Sequence, residues 1–87
     1  MPTPDEIEIL DSVRGLLERE FGFAPAAIEL STHLIDDLDF DSIDAISLAV
    51  RVEEELGIKL EEEVVQRLRT IAQVVGLLAA ERARGPS

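Results

Sequence analysis

The stretch LDFDSID, residues 38–44, lies where a long loop gives way to a helical pattern. Asp41 is a residue type that caps helices, and Asp44 adds negative charge to the first turn, where the helix dipole is positive. Ser42 falls in that turn, where we expect its hydroxyl to face solvent and the free backbone N–H groups to favour an anion such as a phosphodiester. The one histidine is His33 and there is no cysteine, so the hydroxyl lacks the adjacent base that a self-acting nucleophile needs. The sequence therefore predicts an exposed attachment serine that another enzyme modifies.

Helical signals on both sides of this stretch predict an all-α fold. Thr3 opens a first helix with a capping box, and apolar residues then recur at helical spacing as far as Gly22. Gly57 is the expected stop of the second helix, and Thr70 caps the last one. A short helical turn is expected from about 61 to 66. The predicted fold is a small four-helix bundle with three longer helices, one short third helix and a long first loop.

Apolar residues beyond the first helix predict where the packing is dense. The loop from Phe23 to Asp41 is about nineteen residues long, and loops of that length in compact domains are usually functional or packed. Along the second helix, apolar residues cover all but one polar stripe, so we expect neighbours on more than one side. Gly76, inside the last helix, is expected to mark close packing. Packing of the loop is indicated by its own apolar residues, Ile28, Leu30, Leu34 and Leu38.

Composition is typical of one small domain with an aliphatic core, because 46% of the 87 residues are apolar but only three are Phe and none is Trp or Tyr. We interpret residues 1–87 as a single domain, ordered from about 4 to 82 with a flexible tail at 83–87. A chain this short has too little bulk to enclose a deep cleft with a complete catalytic apparatus, which disfavours an enzyme. Neither a basic start with a following apolar run nor a membrane-length apolar segment is found, so we expect a soluble, cytoplasmic monomer.

Acidic charge is concentrated around the predicted attachment serine. The net charge is −11, and eleven of the nineteen acids lie between Asp36 and Glu63, where only Arg51 and Lys59 oppose them. This sign argues against nucleic acid as a partner, because phosphates would be repelled. The simplest interpretation of a charge run is a solvated surface. Its concentration near Ser42 instead favours partners with basic docking patches, steered to this end of the molecule.

The order of these features resembles the acyl carrier protein family over roughly Ile7 to Leu78. The context of Ser42 carries the resemblance: DDL at 36–38, EEEL followed by GI at 53–58, and Thr70 opening the last helix. In that family the serine of an Asp-Ser-Leu motif receives 4′-phosphopantetheine from coenzyme A, and the arm's thiol carries acyl groups as thioesters between enzymes. The resemblance implies that Ser42 is the attachment residue, with Asp41 capping the helix and presenting charge to the transferase.

The resemblance also implies partners and surfaces. The partners would be a phosphopantetheinyl transferase and an acyl-loading enzyme, ketosynthase or acyltransferase with basic docking patches. The candidate docking contacts are Asp37, Asp39, Asp44, Glu53 and Glu54. An acyl chain would slip between the second and third helices, although ordinary core packing is the more economical interpretation of the same apolar residues, Ile46, Val50, Ile58, Leu60, Leu68 and Ile71.

Departures from the family pattern bear on the pathway. Asp39 stands where the family commonly has glycine, and Ile43 replaces the motif leucine. Ser47 and Arg51 occupy second-helix positions that are often acidic or small. These changes leave Ser42 untouched but alter the charge of the docking stripe. We therefore expect a carrier for a specialised lipid, polyene or polyketide pathway rather than for housekeeping fatty acid synthesis.

Parts of the sequence also resemble sites of other classes of protein. A calcium loop from Asp37 would have acids at positions one, three and five, but Ser42 replaces the sixth-position glycine and Leu48 the twelfth-position glutamate, so no metal site is predicted. His33 alone does not make a catalytic constellation. Two alternatives stay open: an acidic helical interaction module without a prosthetic group, and an aminoacyl or peptidyl carrier that uses the same serine chemistry.

Overall fold

A computed structural model describes residues 2–84 and contains four α helices. The helices are α1 (Pro4–Phe21), α2 (Ser42–Leu56), α3 (Glu62–Val65) and α4 (Ile71–Ala83), with a short 3-10 turn at Pro25–Ala27 inside the first loop. Three helices are long and the third is a single turn, so the predicted all-α four-helix architecture is confirmed. Within residues 2–84 no helix is both long and apolar enough to cross a membrane.

The helix ends form where the sequence predicted them. The side chains of Thr3 and Thr70 each accept the backbone N–H three residues later, and the residue there reciprocates, which makes two full capping boxes. Gly22 ends α1 with φ 77° and Gly57 ends α2 with φ 68°. Both are left-handed conformations that glycine adopts without a steric penalty, so each helix stops at a defined residue.

The core is aliphatic and lies mainly between α1 and α4, with α2 packed against α1. The aromatic contribution is a cluster at one end, where the Phe40 ring centroid lies 5.0 Å from that of Phe21 and 6.0 Å from that of Phe23. Fully burying one such aliphatic side chain stabilises the fold by about 1.5–3 kcal/mol. The largest fully buried side chains are Ile9, Val13, Leu17, Ile28, Val52, Ile71, Val75 and Leu78.

The long loop before α2 is packed, as predicted, and is fastened to the start of α4. The Leu34 N–H donates to the Arg69 carbonyl at 2.7 Å, and the Ile71 N–H donates to the Thr32 carbonyl at 2.9 Å. These bonds satisfy backbone groups that would otherwise be buried without partners. Of the four predicted packing residues, Leu30 is half-buried against the core and the others are buried: Ile28, Leu34 and Leu38.

Helix α2 packs against both α1 and α3, which confirms the predicted neighbours on more than one side, but part of its apolar surface stays exposed. Its buried residues are confined to Leu48, Ala49 and Val52, which face the bundle. Ile43 is 72% exposed and Val50 is 45% exposed. The physical reason is that α1 covers only one side of α2, and α3, which packs on another part, is one turn long.

Helix α4 departs from prediction at Gly76. A Cβ atom built on this residue would meet nothing within 4 Å, so the predicted close packing is wrong. The predicted flexible tail, 83–87, starts with the last residue of α4, and Arg84 follows in a turn. The rest of that tail, Gly85–Ser87, lies outside the described residues.

Candidate functional site

Ser42 is the first residue of α2, and its side chain is exposed. Asp41 precedes it as the N-cap, with its Oδ1 accepting the Asp44 N–H at 2.8 Å. The Asp41 N–H donates in return to Asp44 Oδ2 at 3.3 Å. These two bonds fix the first turn, so the Ser42 hydroxyl is presented at a defined, solvent-facing point beside the positive end of the helix dipole.

The residues just before Asp41 reverse the direction of the chain. Asp39 has φ 59°, the one positive φ among the described non-glycine residues, and its N–H donates to the Ile35 carbonyl at 3.0 Å. Phe40 then turns inward, with its N–H bonded to the Leu34 carbonyl at 2.9 Å and its side chain buried. The buried Phe40 on one side of Asp41 and the exposed Ser42 on the other place the serine at the rim of the bundle.

His33 is engaged with the backbone of the loop. Its Nδ1 accepts hydrogen bonds from the backbone N–H groups of Ile35 and Asp36, each at 3.2 Å. The backbone N–H of His33 donates to Asp37 Oδ2 at 2.7 Å. Both side chains therefore stabilise the turn in the loop, and Asp37 has this local role in addition to its predicted place among the docking acids.

A groove of about 320 Å³ opens beside Ser42. Asp41 and Ser42 border it at the start of α2, and Gln66 and Arg69 border it from the connection between α3 and α4. Its apolar lining comes from the loop, from α2 and from the region of α3. The apolar side chains concerned are Leu34, Ile35, Phe40, Ala45, Val65 and Leu68.

Four of the six residues predicted to surround an acyl chain line cavities next to this groove. Ile46, Val50 and Leu60 line a cleft of about 140 Å³ between α2 and α3. Leu60 and Leu68 line an apolar void of about 20 Å³, which is about the space that one water molecule needs. The other two, Ile58 and Ile71, are buried in the core and line neither space.

Val65, on α3, separates these spaces. It is 4% exposed and lines the groove at Ser42, the small void and the cleft between α2 and α3. Helix α3 has four residues and no side-chain cap at its N-terminus. Among the residues that line the three spaces, Val65 is the one that they share.

The predicted docking acids differ in how freely they face solvent. Asp39 is exposed, whereas Asp44 is half-buried within the capping box. Glu53 is also half-buried, and its Oε1 accepts the Leu60 N–H at 3.1 Å across the turn between α2 and α3. Glu54 is exposed and pairs with Arg51 Nη1 at 3.1 Å. Glu53 therefore fastens the turn before Leu60, whereas Asp39 and Glu54 are exposed.

Arg51 links two helices through ion pairs. Its Nε contacts Glu20 of α1 at 2.7 Å while its Nη1 contacts Glu54 on its own helix. Arg19 of α1 pairs with Glu55 of α2 beside it. Exposed pairs of this kind contribute about 0–1 kcal/mol each. Arg51, which departs from the family pattern, thus has an ion-pair partner on α1.

Sequence reasoning missed Arg69, Gln66 and Ile35 as residues that border the groove at Ser42. No periodicity marks them, because Ile35 lies in an irregular loop and the other two lie in the connection after α3. The available signal was the position of Arg69 directly before the Thr70 cap. Recognising it required knowing that the first loop folds onto the start of α4.

Known proteins are similar to this chain over a range that includes Ser42. A family model described as "Phosphopantetheine attachment site" matches residues 11–78. The chain is 38% identical over 79 residues to acyl carrier protein 2 of Ralstonia nicotianae, covering 86% of this chain and 98% of that protein. It is 33% identical over 78 residues to the meromycolate extension acyl carrier protein of Mycobacterium tuberculosis, covering 90% of this chain and 67% of that protein.

A solved structure is similar along nearly the whole length. The crystal structure of an acyl carrier protein from Thermotoga maritima superposes with a TM-score of 0.83, covering 97% of this chain and 98% of that chain. Its sequence is 17% identical, so this match bears on the fold alone. The family match, by contrast, includes the start of α2 and the groove beside Ser42.

Proposed function

The chain belongs to the acyl carrier protein family, and on that premise we propose that Ser42 is the residue to which its 4′-phosphopantetheine is attached. The terminal thiol of that group carries acyl chains as thioesters, which is the function of the family. The observation that carries the assignment is the combination of an exposed hydroxyl at a capped helix start with a place on the border of the 320 Å³ groove. Asp41 and Asp44 hold that hydroxyl in place.

The groove beside Ser42 fits an amphipathic arm that begins with a phosphodiester. Near the serine, the first turn of α2 offers the positive end of a dipole, and Arg69 contributes a guanidinium. Farther along, Leu34, Val65 and Leu68 provide an apolar lining for the arm's methyl groups. The helix start and Arg69 therefore suit the phosphodiester, and the apolar lining suits the rest of the arm.

Attachment requires a second protein, because the carboxylates of Asp41 and Asp44 are engaged in the capping box and the chain has no cysteine and no histidine next to Ser42. The Ser42 oxygen forms a bond to the phosphorus of the phosphopantetheinyl unit of coenzyme A as the pyrophosphate bond breaks. Adenosine 3′,5′-bisphosphate leaves, and the transferase takes the hydroxyl proton. The role of the chain's own residues is to present the hydroxyl, with Asp41 as the cap and as the nearest negative charge for a basic transferase surface.

Partner enzymes would contact the exposed residues around the serine. Asp39, Asp41 and Glu54 offer negative charge, and Ile43 adds an exposed apolar side chain directly after the attachment point. Basic patches on a transferase, an acyl-loading enzyme, a ketosynthase or an acyltransferase match this surface in charge. Such contacts weaken as salt rises, since exposed charges are screened. We place this carrier in the cytoplasm as a monomer that meets these enzymes in turn.

The pathway we favour is a specialised lipid, polyene or polyketide synthesis. Arg51 supports this choice, since it puts positive charge on α2 among the acids and ties Glu54 and Glu20 together. A ketosynthase that recognises a uniformly acidic α2 would meet a different surface here. Competition against a general fatty-acid ketosynthase tests the choice, and efficient turnover by that enzyme would count against a dedicated role.

Intact mass spectrometry tests the assignment of Ser42. The purified protein is incubated with coenzyme A, magnesium and a broad-specificity phosphopantetheinyl transferase, beside Ser42→Ala and the matched control Ser47→Ala. Ser47 is exposed on the same helix, one and a half turns away. We expect the wild type and Ser47→Ala to gain one phosphopantetheinyl unit each and Ser42→Ala to gain none. No gain on the folded wild type would leave an acidic interaction module as the better description.

A further inference from the structure

Arg69 borders the same groove as Ser42 but comes from the connection between α3 and α4. Its Nη1 donates to the Gln66 carbonyl at 2.8 Å and to the Leu68 carbonyl at 3.1 Å. These two bonds fix one edge of the guanidinium against its own loop. Its Nε and Nη2 have no hydrogen-bond partner within residues 2–84, so a planar set of donors remains available.

The charge environment of Arg69 differs from that of most arginines in the molecule. Arginines on the helices pair with carboxylates, as Arg19 does with Glu55, Arg51 with Glu20 and Glu54, and Arg82 with Asp5. Arg69 makes no ion pair with any carboxylate in the described part of the chain, although the protein has a net charge of −11. An arginine without an acidic partner in so acidic a molecule can accept an anion from outside at little competing cost.

The acid that shares the groove, Asp41, makes no ion pair with Arg69 within residues 2–84. Asp41 lies at the α2 border, and its Oδ1 already accepts the Asp44 N–H. The groove therefore has a guanidinium on one border and, on the other, a serine in the first turn of a helix. A guanidinium binds phosphate oxygens through charge-assisted hydrogen bonds that are about twice as strong as neutral ones.

We propose that Arg69 binds the phosphodiester formed at Ser42 and thereby holds the prosthetic arm along the groove instead of free in solvent. This proposal rests on the assignment of Ser42 as the attachment residue. Arg69 acts as a positioning residue, and the arm it directs inward meets the apolar lining formed by Leu34, Val65 and Leu68. Because the guanidinium is exposed, added salt weakens the contact.

Nuclear magnetic resonance of the apo and phosphopantetheinylated protein tests the proposal directly. The wild-type Arg69 Nε–H resonance is expected to shift on attachment, and the phosphorus resonance is expected to move with added salt. Nuclear Overhauser effects are expected between the arm's geminal methyls and the Val65 and Leu68 methyls. An Arg69 Nε–H resonance that is the same in both forms would overturn the proposal.

Two variants separate Arg69 from a general loss of charge. Arg69→Gln removes the groove guanidinium, and Arg67→Gln removes an exposed arginine of the same connection that does not line the groove. We expect the nuclear Overhauser effects between the arm and Leu68 to be lost in Arg69→Gln and retained in Arg67→Gln. If both variants showed the same nuclear Overhauser effects as the wild type, the role of Arg69 would be refuted.

Intact mass recorded on the same samples distinguishes the two possible failures. A wild type that gains no arm refutes both the attachment site and the inference about Arg69. A wild type that gains the arm on Ser42 while Arg69 stays unperturbed refutes the inference alone. Amide spectra of the apo variants check the fold, which is expected to persist because the bond from Leu34 is to the Arg69 backbone carbonyl.

Discussion

Asp41 and Asp44 exchange backbone-to-carboxylate hydrogen bonds across the first turn of α2, at 2.8 Å in one direction and 3.3 Å in the other. Ser42 lies between them as the first helical residue. The two carboxylates satisfy backbone N–H groups that the helix cannot satisfy itself, and they place negative charge at the positive end of its dipole. The presentation of Ser42 therefore depends on a pair of acids that also face any approaching enzyme.

Replacing Asp41 separates its capping role from its charge. Asp41→Ala removes both and is expected to lower the free energy of unfolding by about 0.5–2 kcal/mol. Asp41→Asn keeps a good capping side chain and is expected to lower it by less. Both variants are expected to slow phosphopantetheinyl transfer, since each lacks the charge next to Ser42. Urea unfolding and initial transfer rates measure the two effects, and a wild-type rate for Asp41→Asn would confine Asp41 to capping.

Asp39 has a backbone conformation that favours glycine. Its φ of 59° costs an ordinary L-residue about 1–2 kcal/mol, although aspartate tolerates it better than most. Asp39→Gly is expected to raise the free energy of unfolding by about 0.5–1 kcal/mol after the entropy lost by glycine on folding is included. Asp39→Ala is the control, because it removes the charge but keeps a Cβ and lacks the side chain that lets aspartate tolerate a positive φ. If the alanine variant were stabilised as much as the glycine variant, charge repulsion rather than backbone strain would be the cause.

The bond from the Leu60 N–H to Glu53 fastens the turn between α2 and α3. Glu53→Ala is expected to cost about 1 kcal/mol of stability and to speed hydrogen exchange at the Leu60 amide, because the carboxylate acceptor is lost. Glu54→Ala removes the neighbouring acid, whose exposed pair with Arg51 is worth about 0–1 kcal/mol. Native-state hydrogen exchange on both variants measures the difference. Equal Leu60 protection in the two would contradict the structural role given to Glu53.

Two glycines are expected to respond in opposite ways to alanine. Gly76 is helical and has open space around an added Cβ, so Gly76→Ala is expected to stabilise the protein by up to about 1 kcal/mol. Gly57 has the same open space but φ 68°, so Gly57→Ala is expected to destabilise it by about 1–2 kcal/mol. Thermal unfolding of the two variants measures both. A lower melting temperature for Gly76→Ala would indicate a packing role for this glycine that the open space does not reveal.

Local signals predicted the helices well. Thr3, Asp41 and Thr70 cap helices because their side chains accept backbone N–H groups a few residues away, and such bonds can be inferred from spacing alone. Gly22 and Gly57 end helices for an equally local reason. The resemblance to the acyl carrier protein family, which is built on these same landmarks, is confirmed by the family match and by the curated relatives.

Properties that depend on distant parts of the chain were not predictable in the same way. The exposure of Ile43 and Val50 follows from the short length of α3, which no feature of α2 encodes. The place of Arg69 beside Ser42 follows from the first loop binding the start of α4. Glu53 looked like its neighbour Glu54 in sequence, and only the course of the following turn brings the Leu60 N–H to it.

Fragmentation of one tryptic peptide tests the central claim most directly. Cleavage after Arg19 and Arg51 releases residues 20–51, which contain four hydroxyl side chains, Ser31, Thr32, Ser42 and Ser47. After incubation with coenzyme A and a phosphopantetheinyl transferase, we expect one phosphopantetheinyl unit on this peptide, localised by the fragment ions to Ser42. The unit on any of the other three hydroxyls, or an unmodified peptide from a folded and fully incubated protein, would contradict it.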